Sequence, residues 1–195
     1  AGPGRPMTTD AIFRIASMTK PVTSVAVMML YEEGLFKLND PVGRYLPELA
    51  SLEVLVASDT RDGTYRRVPA RQPVTIRHLL THTSGIAYRF LGELGQDAKI
   101  RALSDLYRDG GVADGADGLA ENSGTIADLV SALGGVPLLH EPGAAFTYGL
   151  SDEVLGRLVE VLSGMTFDEF LKSRLFEPLR MDDTYFYIPD EKVDR

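Results

Sequence analysis

The chain has 195 residues, of which 44% are hydrophobic and 25% charged, enough for one globular domain with a sizeable core. The net charge of −8 argues against nucleic acid or an anionic membrane as a partner, and no apolar run is long enough to span a bilayer. The absence of Cys excludes disulfides and thiol chemistry but leaves the compartment open, with the cytoplasm favoured over a periplasmic or secreted location.

The first predicted element is a short strand ending within residues 11 to 16, directly before Ser17. Ser17 and Lys20 are three positions apart, so they share one face of a helix that begins here. A Ser in the first helical turn lies beside unpaired backbone N–H groups, which stabilise an oxyanion. Lys20 can accept the Ser proton if burial or a neighbouring charge lowers its pKa. The alternative is a surface Ser beside a solvated Lys, because S-x-x-K is a common tetrapeptide.

The helix that follows Lys20 is predicted to be buried, because its apolar residues recur at helical spacing. They are Val22, Val25, Ala26, Met29 and Leu30. Gly34 is expected to end this helix as a left-handed C-cap, and residues 38 to 41 to form a turn. A buried helix that begins with S-x-x-K is much rarer than the tetrapeptide, which favours catalysis by Ser17 and Lys20.

The next part of the chain predicts a hairpin and a short helix. Residues 54 to 57 and 65 to 68 favour strands that pair around a turn at residues 59 to 63. Thr75 is a suitable N-cap for a helix over residues 76 to 81.

Residues 109 to 118 are rich in Gly and Asp and lack apolar periodicity, which predicts a flexible surface loop. The spacing of its Asp residues suggests a calcium loop only remotely, because the EF-hand pattern and its closing Glu are absent. We therefore expect neither a metal nor an organic cofactor.

Three further helices are predicted towards the end of the chain. Thr125 is the expected N-cap of the first. The second begins at Ser151, with acidic residues in its first turn, and ends at Gly164. The third opens with a capping box at residues 166 to 169 and ends before Pro178.

Four blocks of this sequence together resemble the serine β-lactamase-like hydrolases. The blocks are residues 13 to 20, 34 to 41, 74 to 85 and 141 to 148, in the order in which the family has them. The chain is most similar to the class C branch, which includes family VIII carboxylesterases and D-Ala-D-Ala peptidases. The resemblance implies a mixed α and β, two-lobed β-lactamase/transpeptidase-like fold, in which a helical lobe joins an antiparallel sheet flanked by helices. This chain would supply mostly the helical part.

Members of this family are longer than this chain. They have a helix and two strands before the nucleophile block, and they close with strands that carry a third motif of the Lys-Thr-Gly or His-x-Gly type. We therefore expect residues 1 to 195 to be an internal part of a single β-lactamase-like catalytic domain. Its first partner would be the remaining part of that domain, without which exposed sheet edges would favour aggregation.

The resemblance implies a role for Tyr148, which follows the turn at residues 141 to 143. In the family this Tyr faces the nucleophile and shuttles protons together with the Lys. A phenol is a poor base in water, but an adjacent ammonium favours its ionised form. The alternative is a core Tyr with a hydrogen-bonded hydroxyl.

Leu150 is the candidate substrate-binding residue, because β-lactamases usually carry an Asn two positions after this Tyr. An apolar residue here weakens polar anchoring of an amide substrate and resembles the carboxylesterase branch.

A Ser-His-Asp triad is not predicted. The three histidines, His78, His82 and His140, are scattered, and no carboxylate stands in a fixed relation to them. Ser84 does not lie in a G-x-S-x-G elbow. His82 and Ser84 are expected to brace the end of the helix that begins after Thr75.

These observations predict a serine hydrolase that forms an acyl-enzyme on Ser17, with Lys20 and Tyr148 as proton-transfer groups. The backbone N–H of Ser17 would supply one oxyanion donor, and a strand outside this chain the other. A carboxylesterase acting on short-chain acyl esters is favoured. A β-lactamase or D-Ala-D-Ala carboxypeptidase, with a β-lactam-like substrate, is one alternative. A non-catalytic binding module on the same fold is another.

Overall fold

The computed structural model describes residues 7–58, 64–94, 97–113 and 124–193. This part of the chain is mixed α and β and mostly helical, as predicted. Its α-helices are α1 (Thr19–Glu32), α2 (Ile76–Leu80), α3 (Leu91–Leu94), α4 (Ala98–Asp109), α5 (Ile126–Gly134), α6 (Ser151–Ser163) and α7 (Phe167–Leu171). Two strands, β1 (Glu53–Ala57) and β2 (Tyr65–Pro69), form a small sheet.

Helix α6 forms the centre of the helical layer and packs against α1, α2, α5 and α7. Four of its apolar side chains are completely buried, namely Val154, Leu155, Leu158 and Val159. Each such side chain contributes roughly 1.5–3 kcal/mol when it leaves water, so this face is a major stabilising contact. Gly164 ends the helix, as predicted, and its φ of 72° is in the left-handed region.

Helix α1 lies against α6 and contributes a buried stripe. Its buried residues are Thr23, Ala26, Val27 and Leu30, so the stripe is shifted from the predicted one, and Val25 is exposed. Pro21 fits the first turn, where its missing N–H has no partner to lose. Gly34 ends the helix with φ of 77°, and the turn at residues 38 to 41 is present, both as predicted.

The strand predicted before Ser17 is wrong. Ile15 has helical backbone angles (φ −89°, ψ −8°), and its carbonyl accepts a hydrogen bond from the Met18 N–H at 2.9 Å. The chain therefore turns into a short 3-10 helix, Ala16–Met18, which an extended strand could not enter. As a consequence, Ser17 lies in this tight turn directly before α1.

The predicted hairpin is confirmed. Strands β1 and β2 pair antiparallel, from Glu53 opposite Pro69 to Ala57 opposite Tyr65, while the predicted turn at residues 59 to 63 lies outside the described residues. The sheet is tied to the helical part through Leu138, whose N–H donates to the Glu53 carbonyl at 2.7 Å.

The predicted N-caps of α2 and α5 are confirmed, because Thr75 and Thr125 each accept the N–H three residues later. The capping box predicted for α7 is wrong in its contacts. The Thr166 hydroxyl instead donates to the carboxylate of Glu169 at 2.9 Å, and no cap to the backbone forms. After Leu171 the helix widens into a π-helical turn and ends before Pro178.

The loop predicted at residues 109 to 118 is described only in part. Asp109 is the last residue of α4, Gly111 has φ of 72°, and residues 114 to 118 lie outside the described residues. Within the described ranges, no cluster of His, Asp and Glu has the geometry to hold a metal ion. None of the helices in those ranges has the length and apolar character needed to cross a bilayer.

Candidate active site

Ser17 is presented on a strained turn at the N-terminal end of α1. Ala16, directly before it, has φ of 43°, a left-handed conformation that is uncommon for a residue other than Gly. The Ser17 side chain is exposed, and the positive end of the α1 dipole lies beside it. This turn therefore offers an accessible hydroxyl where negative charge is stabilised.

Tyr148 reaches Ser17, as the resemblance implied. Its hydroxyl donates a hydrogen bond to Ser17 Oγ at 2.6 Å. The segment before it is anchored to the end of α2, because the Thr147 N–H donates to the His82 carbonyl at 2.7 Å. His140 adds a second anchor through its Nε2, which lies 2.7 Å from the Thr147 hydroxyl. Two contacts of Thr147, one through its backbone and one through its side chain, thus hold the Tyr148 phenol against Ser17.

Lys20 lies between two tyrosines and does not have the lowered pKa that a neutral base needs. Its Nζ donates to the Tyr88 hydroxyl at 2.9 Å and lies 4.9 Å from the ring centre of Tyr148. Burial alone would lower the pKa of Lys20, but the hydrogen bond with Tyr88 and the charge of Glu153 outweigh it and raise the pKa above its ordinary value. Lys20 is therefore an ammonium at neutral pH.

Tyr88 is a site residue that the sequence did not reveal. It accepts from Lys20 and donates to Glu153 Oε1 at 3.4 Å, so it bridges the two charges. Burial, with the nearby Glu153, raises the pKa of Tyr88 to about 12 although Lys20 acts in the opposite direction. Its phenol therefore stays protonated near neutral pH. Tyr88 follows the block 74 to 85 by three positions, but a single Tyr forms no sequence motif that would mark it as a site residue.

Glu153 is the second residue that was missed. It belongs to the first turn of α6, where an acidic residue is common for reasons of helix dipole alone. Here, however, its Oε2 is fully buried and has no hydrogen-bond partner. Burial raises the pKa of Glu153, and Lys20 opposes that rise. Through Tyr88, this carboxyl group is connected to Lys20.

A His–Asp pair lies behind Tyr148, contrary to the expectation that no carboxylate is related to a histidine. His82 Nε2 lies 3.2 Å from Asp152 Oδ2, although not in hydrogen-bonding geometry, and its Nδ1 is buried without a partner. The ring packs at 5.1 Å from that of Tyr148. His82 therefore contacts Tyr148 through its ring.

Ser84 is not a nucleophile candidate, because it is completely buried. Its hydroxyl hydrogen-bonds that of Ser151 at 2.9 Å and accepts the Ile86 N–H. It thus joins the end of α2 to the start of α6, a bracing role close to the predicted one.

Leu150 lies in the core and offers no accessible surface to a substrate. It is the residue before α6, and only 2% of its side chain is exposed. The predicted direct contact with a substrate is therefore not supported, because the turn after Tyr148 directs this side chain into the hydrophobic cluster. Two exposed apolar side chains are Met18, which follows Ser17 directly, and Phe146, which packs against His82, and each is 68% exposed.

The chain is similar in sequence to several known proteins. The family model described as Beta-lactamase matches residues 1–195. Esterase EstB of Burkholderia gladioli is 36% identical over 188 residues, covering 94% of this chain and 40% of the esterase. Lovastatin esterase of Penicillium rubens is 32% identical over 187 residues, covering 96% and 42%. The chain thus spans about two fifths of the length of these relatives.

A solved structure shows that the fold is also shared. EstCE1, described as a hydrolase with promiscuous acyltransferase activity, superposes with a TM-score of 0.68 at 32% identity, covering 90% of this chain and 40% of that one. The fold is therefore the β-lactamase/transpeptidase-like fold, represented in part.

Proposed function

The chain belongs to the beta-lactamase family, and from this we propose that it carries the nucleophile of a serine hydrolase that forms an acyl-enzyme on Ser17. One observation carries the proposal above all, namely the 2.6 Å hydrogen bond between the Tyr148 hydroxyl and Ser17 Oγ beside the Lys20 ammonium. A hydroxyl in contact with an activating group, which a third group orients, is the arrangement that covalent catalysis requires.

In the first step, Tyr148 in its ionised form takes the proton of Ser17, and Ser17 Oγ forms a bond to the carbonyl carbon of the ester. The direction of the hydrogen bond between the two residues reverses when the phenol ionises. Lys20 supports this step by placing a positive charge 4.9 Å from the Tyr148 ring. Because Lys20 is already protonated, it acts as an electrostatic partner and not as the proton acceptor.

The tetrahedral intermediate then collapses. Its oxyanion is stabilised by the backbone N–H of Ser17 and by the α1 dipole. Tyr148 returns the proton to the departing alkoxide, the ester C–O bond breaks, and the alcohol leaves. Water repeats the sequence with Tyr148 as base, which releases the acid and restores Ser17.

Esters with a small apolar acyl group are the proposed substrates. Met18, next to Ser17, is exposed, and the exposed Phe146 packs on His82, whose ring packs on Tyr148. These groups supply apolar contact for an acyl chain on Ser17. The names of EstB and lovastatin esterase support the same class.

The test uses the whole protein and two substrates. A fluorophosphonate should add one phosphonyl group, located on Ser17 by peptide mass spectrometry, and a nitrophenyl butyrate should be hydrolysed faster than a chromogenic cephalosporin. Faster turnover of the cephalosporin would favour a β-lactamase. The absence of any adduct on Ser17 would favour a binding module on the same fold.

A further inference from the structure

We propose that Glu153 is a positioning residue for this site, which acts through Tyr88 to keep Lys20 charged and directed at Tyr148. The inference rests on the proposed function and deepens it, because it identifies the residue that maintains the positive charge of Lys20 beside Tyr148. Glu153 itself makes no contact with Ser17 or with a substrate in this scheme.

The three side chains form one directed chain of hydrogen bonds. Lys20 Nζ donates to the Tyr88 hydroxyl at 2.9 Å, and that hydroxyl donates to Glu153 Oε1 at 3.4 Å. Each group comes from a different part of the fold, α1, the segment after α2, and α6. A phenol can accept one hydrogen bond and donate one. The carboxylate therefore polarises the Tyr88 hydroxyl, which strengthens the hydrogen bond that this hydroxyl accepts from the Lys20 ammonium.

The buried position of the Glu153 carboxyl group supports the same assignment. Its Oε2 is fully buried without a hydrogen-bond partner, on a helix whose neighbouring residues, Val154 and Leu155, are completely buried and apolar. A buried carboxylate lowers stability unless an opposite charge compensates it. Lys20 is the cation that acts on it.

The other ionisable groups around this chain of bonds do not replace Glu153. Asp152 adds negative charge next to it on α6, but its Oδ2 faces His82 at 3.2 Å. Farther along α6, Arg157 and Glu160 pair with each other at 2.8 Å. The Tyr148 ring lies next to this path, with its centre 4.9 Å from Lys20 Nζ and 5.6 Å from the centre of the Tyr88 ring, so it lies beside the charge on Lys20.

This inference predicts a change in the pH dependence of activity at alkaline pH. Without the carboxylate, Lys20 holds its proton less tightly, so activity that depends on the ammonium should be lost at a lower pH. We expect the alkaline fall of kcat/KM in Glu153→Gln to move down by about one pH unit or more.

The experiment measures three quantities on the whole protein and on the Glu153→Gln variant. The first is phosphonylation of Ser17, by intact mass. The second is kcat/KM for nitrophenyl butyrate from pH 6 to 12, with spontaneous hydrolysis of the ester subtracted. The third is titration of the Lys20 ammonium by NMR of lysine labelled with ¹⁵N at Nζ. A Lys20→Arg variant assigns the signal.

Glu160→Gln is the matched control, because it removes a carboxylate from the same helix that is bonded to Arg157 and to the Phe167 N–H. It should lower the melting temperature and leave the pH profile unchanged. Glu153→Asp should recover at least part of the wild-type alkaline activity, because it restores the charge.

The outcomes separate the two proposals. If Ser17 reacts in the wild type but Glu153→Gln changes only the melting temperature, with pH profile and Lys20 titration unchanged, Glu153 is merely structural and the inference is overturned. If Ser17 never reacts, the proposed function is overturned, and the Lys20 titration still decides whether Glu153 holds the ammonium.

Discussion

The hydroxyl of Tyr148 and Oγ of Ser17 are 2.6 Å apart, although 131 positions separate the two residues in the chain. The contact depends on the packing of α1 against α6 and on the hydrogen bond from the Thr147 N–H to the His82 carbonyl. Neither residue is activated by its local sequence alone. The site is therefore sensitive to small displacements in the segment that carries Tyr148.

Replacement of Ser17 tests the nucleophile directly. Ser17→Ala should lower kcat/KM for the ester on the order of 10³-fold or more, because a nucleophile and its base act as a unit. The melting temperature should change little, since the side chain is exposed. Ser84→Ala is the matched control, because it removes a buried hydroxyl bonded to Ser151 and should lower stability while the ester is still hydrolysed. Retention of more than about a tenth of the rate by Ser17→Ala would place the nucleophile elsewhere.

Replacement of Lys20 and Tyr148 tests whether they share one proton-transfer step. Lys20→Ala and Tyr148→Phe should each lower kcat severely, and the double variant should be little worse than the poorer single one. The reason is that the ammonium has no charge to stabilise once the phenol is gone. A double-mutant cycle on steady-state rates measures the coupling, and losses that simply multiply would show that the two residues act independently.

Substitution of Gly149 tests whether activity depends on the exact position of the segment that carries Tyr148. A Cβ at this position would collide with the Ile86 carbonyl oxygen and lie 2.6 Å from Ala87 Cα, both backbone atoms with little freedom to move. Gly149→Ala should therefore lower the free energy of unfolding by about 1–3 kcal/mol, as overpacking typically does, and displace Tyr148 from Ser17. Chemical denaturation and ester hydrolysis, measured on the same sample, check both effects.

Gly135→Ala is the control for that variant, because its Cβ would meet the Ala132 carbonyl oxygen at an ordinary 3.5 Å. It should leave stability and activity close to those of the wild type. Equal losses in the two variants would contradict the role assigned to the Gly149 contact.

Asp40 gives a prediction for the pH dependence of stability. The Lys37 N–H at 2.9 Å and the Tyr45 hydroxyl at 2.7 Å both donate to its Oδ2, and these bonds lower the pKa of Asp40. A lowered pKa stabilises the fold above the ordinary carboxyl range, and this stabilisation is lost as the pH falls through the lowered value. Asp40→Ala should therefore lower the melting temperature at pH 7 and differ less from the wild type in strong acid.

Tyr45→Phe separates the two hydrogen bonds, because it removes the phenol donor and keeps the carboxylate. Its melting temperature should lie between those of the wild type and Asp40→Ala at pH 7. A stability difference for Asp40→Ala that stayed constant from pH 7 to pH 2 would contradict the assignment.

Local signals in the sequence determined much of the helical framework. Thr75 and Thr125 predicted helix starts because a side-chain oxygen caps the N–H three residues later, an interaction that lies within one turn. Gly34 and Gly164 predicted helix ends because both adopt the left-handed conformation that Gly tolerates. The spacing of Ser17 and Lys20 likewise predicted a helix at the position of α1.

The tertiary structure decided the chemistry of the site. Tyr88 and Glu153 raise the pKa of Lys20, although they are 68 and 133 positions away, and no local sequence pattern predicts that these residues lie together. Leu150 is a core residue because the turn after Tyr148 directs it inward. A pKa depends on the burial of the group and on the charges around it, and both exist only once distant segments have packed. The sequence by itself therefore determined which residues carry reactive groups, whereas the packing of α1, α2 and α6 determined their protonation and their partners.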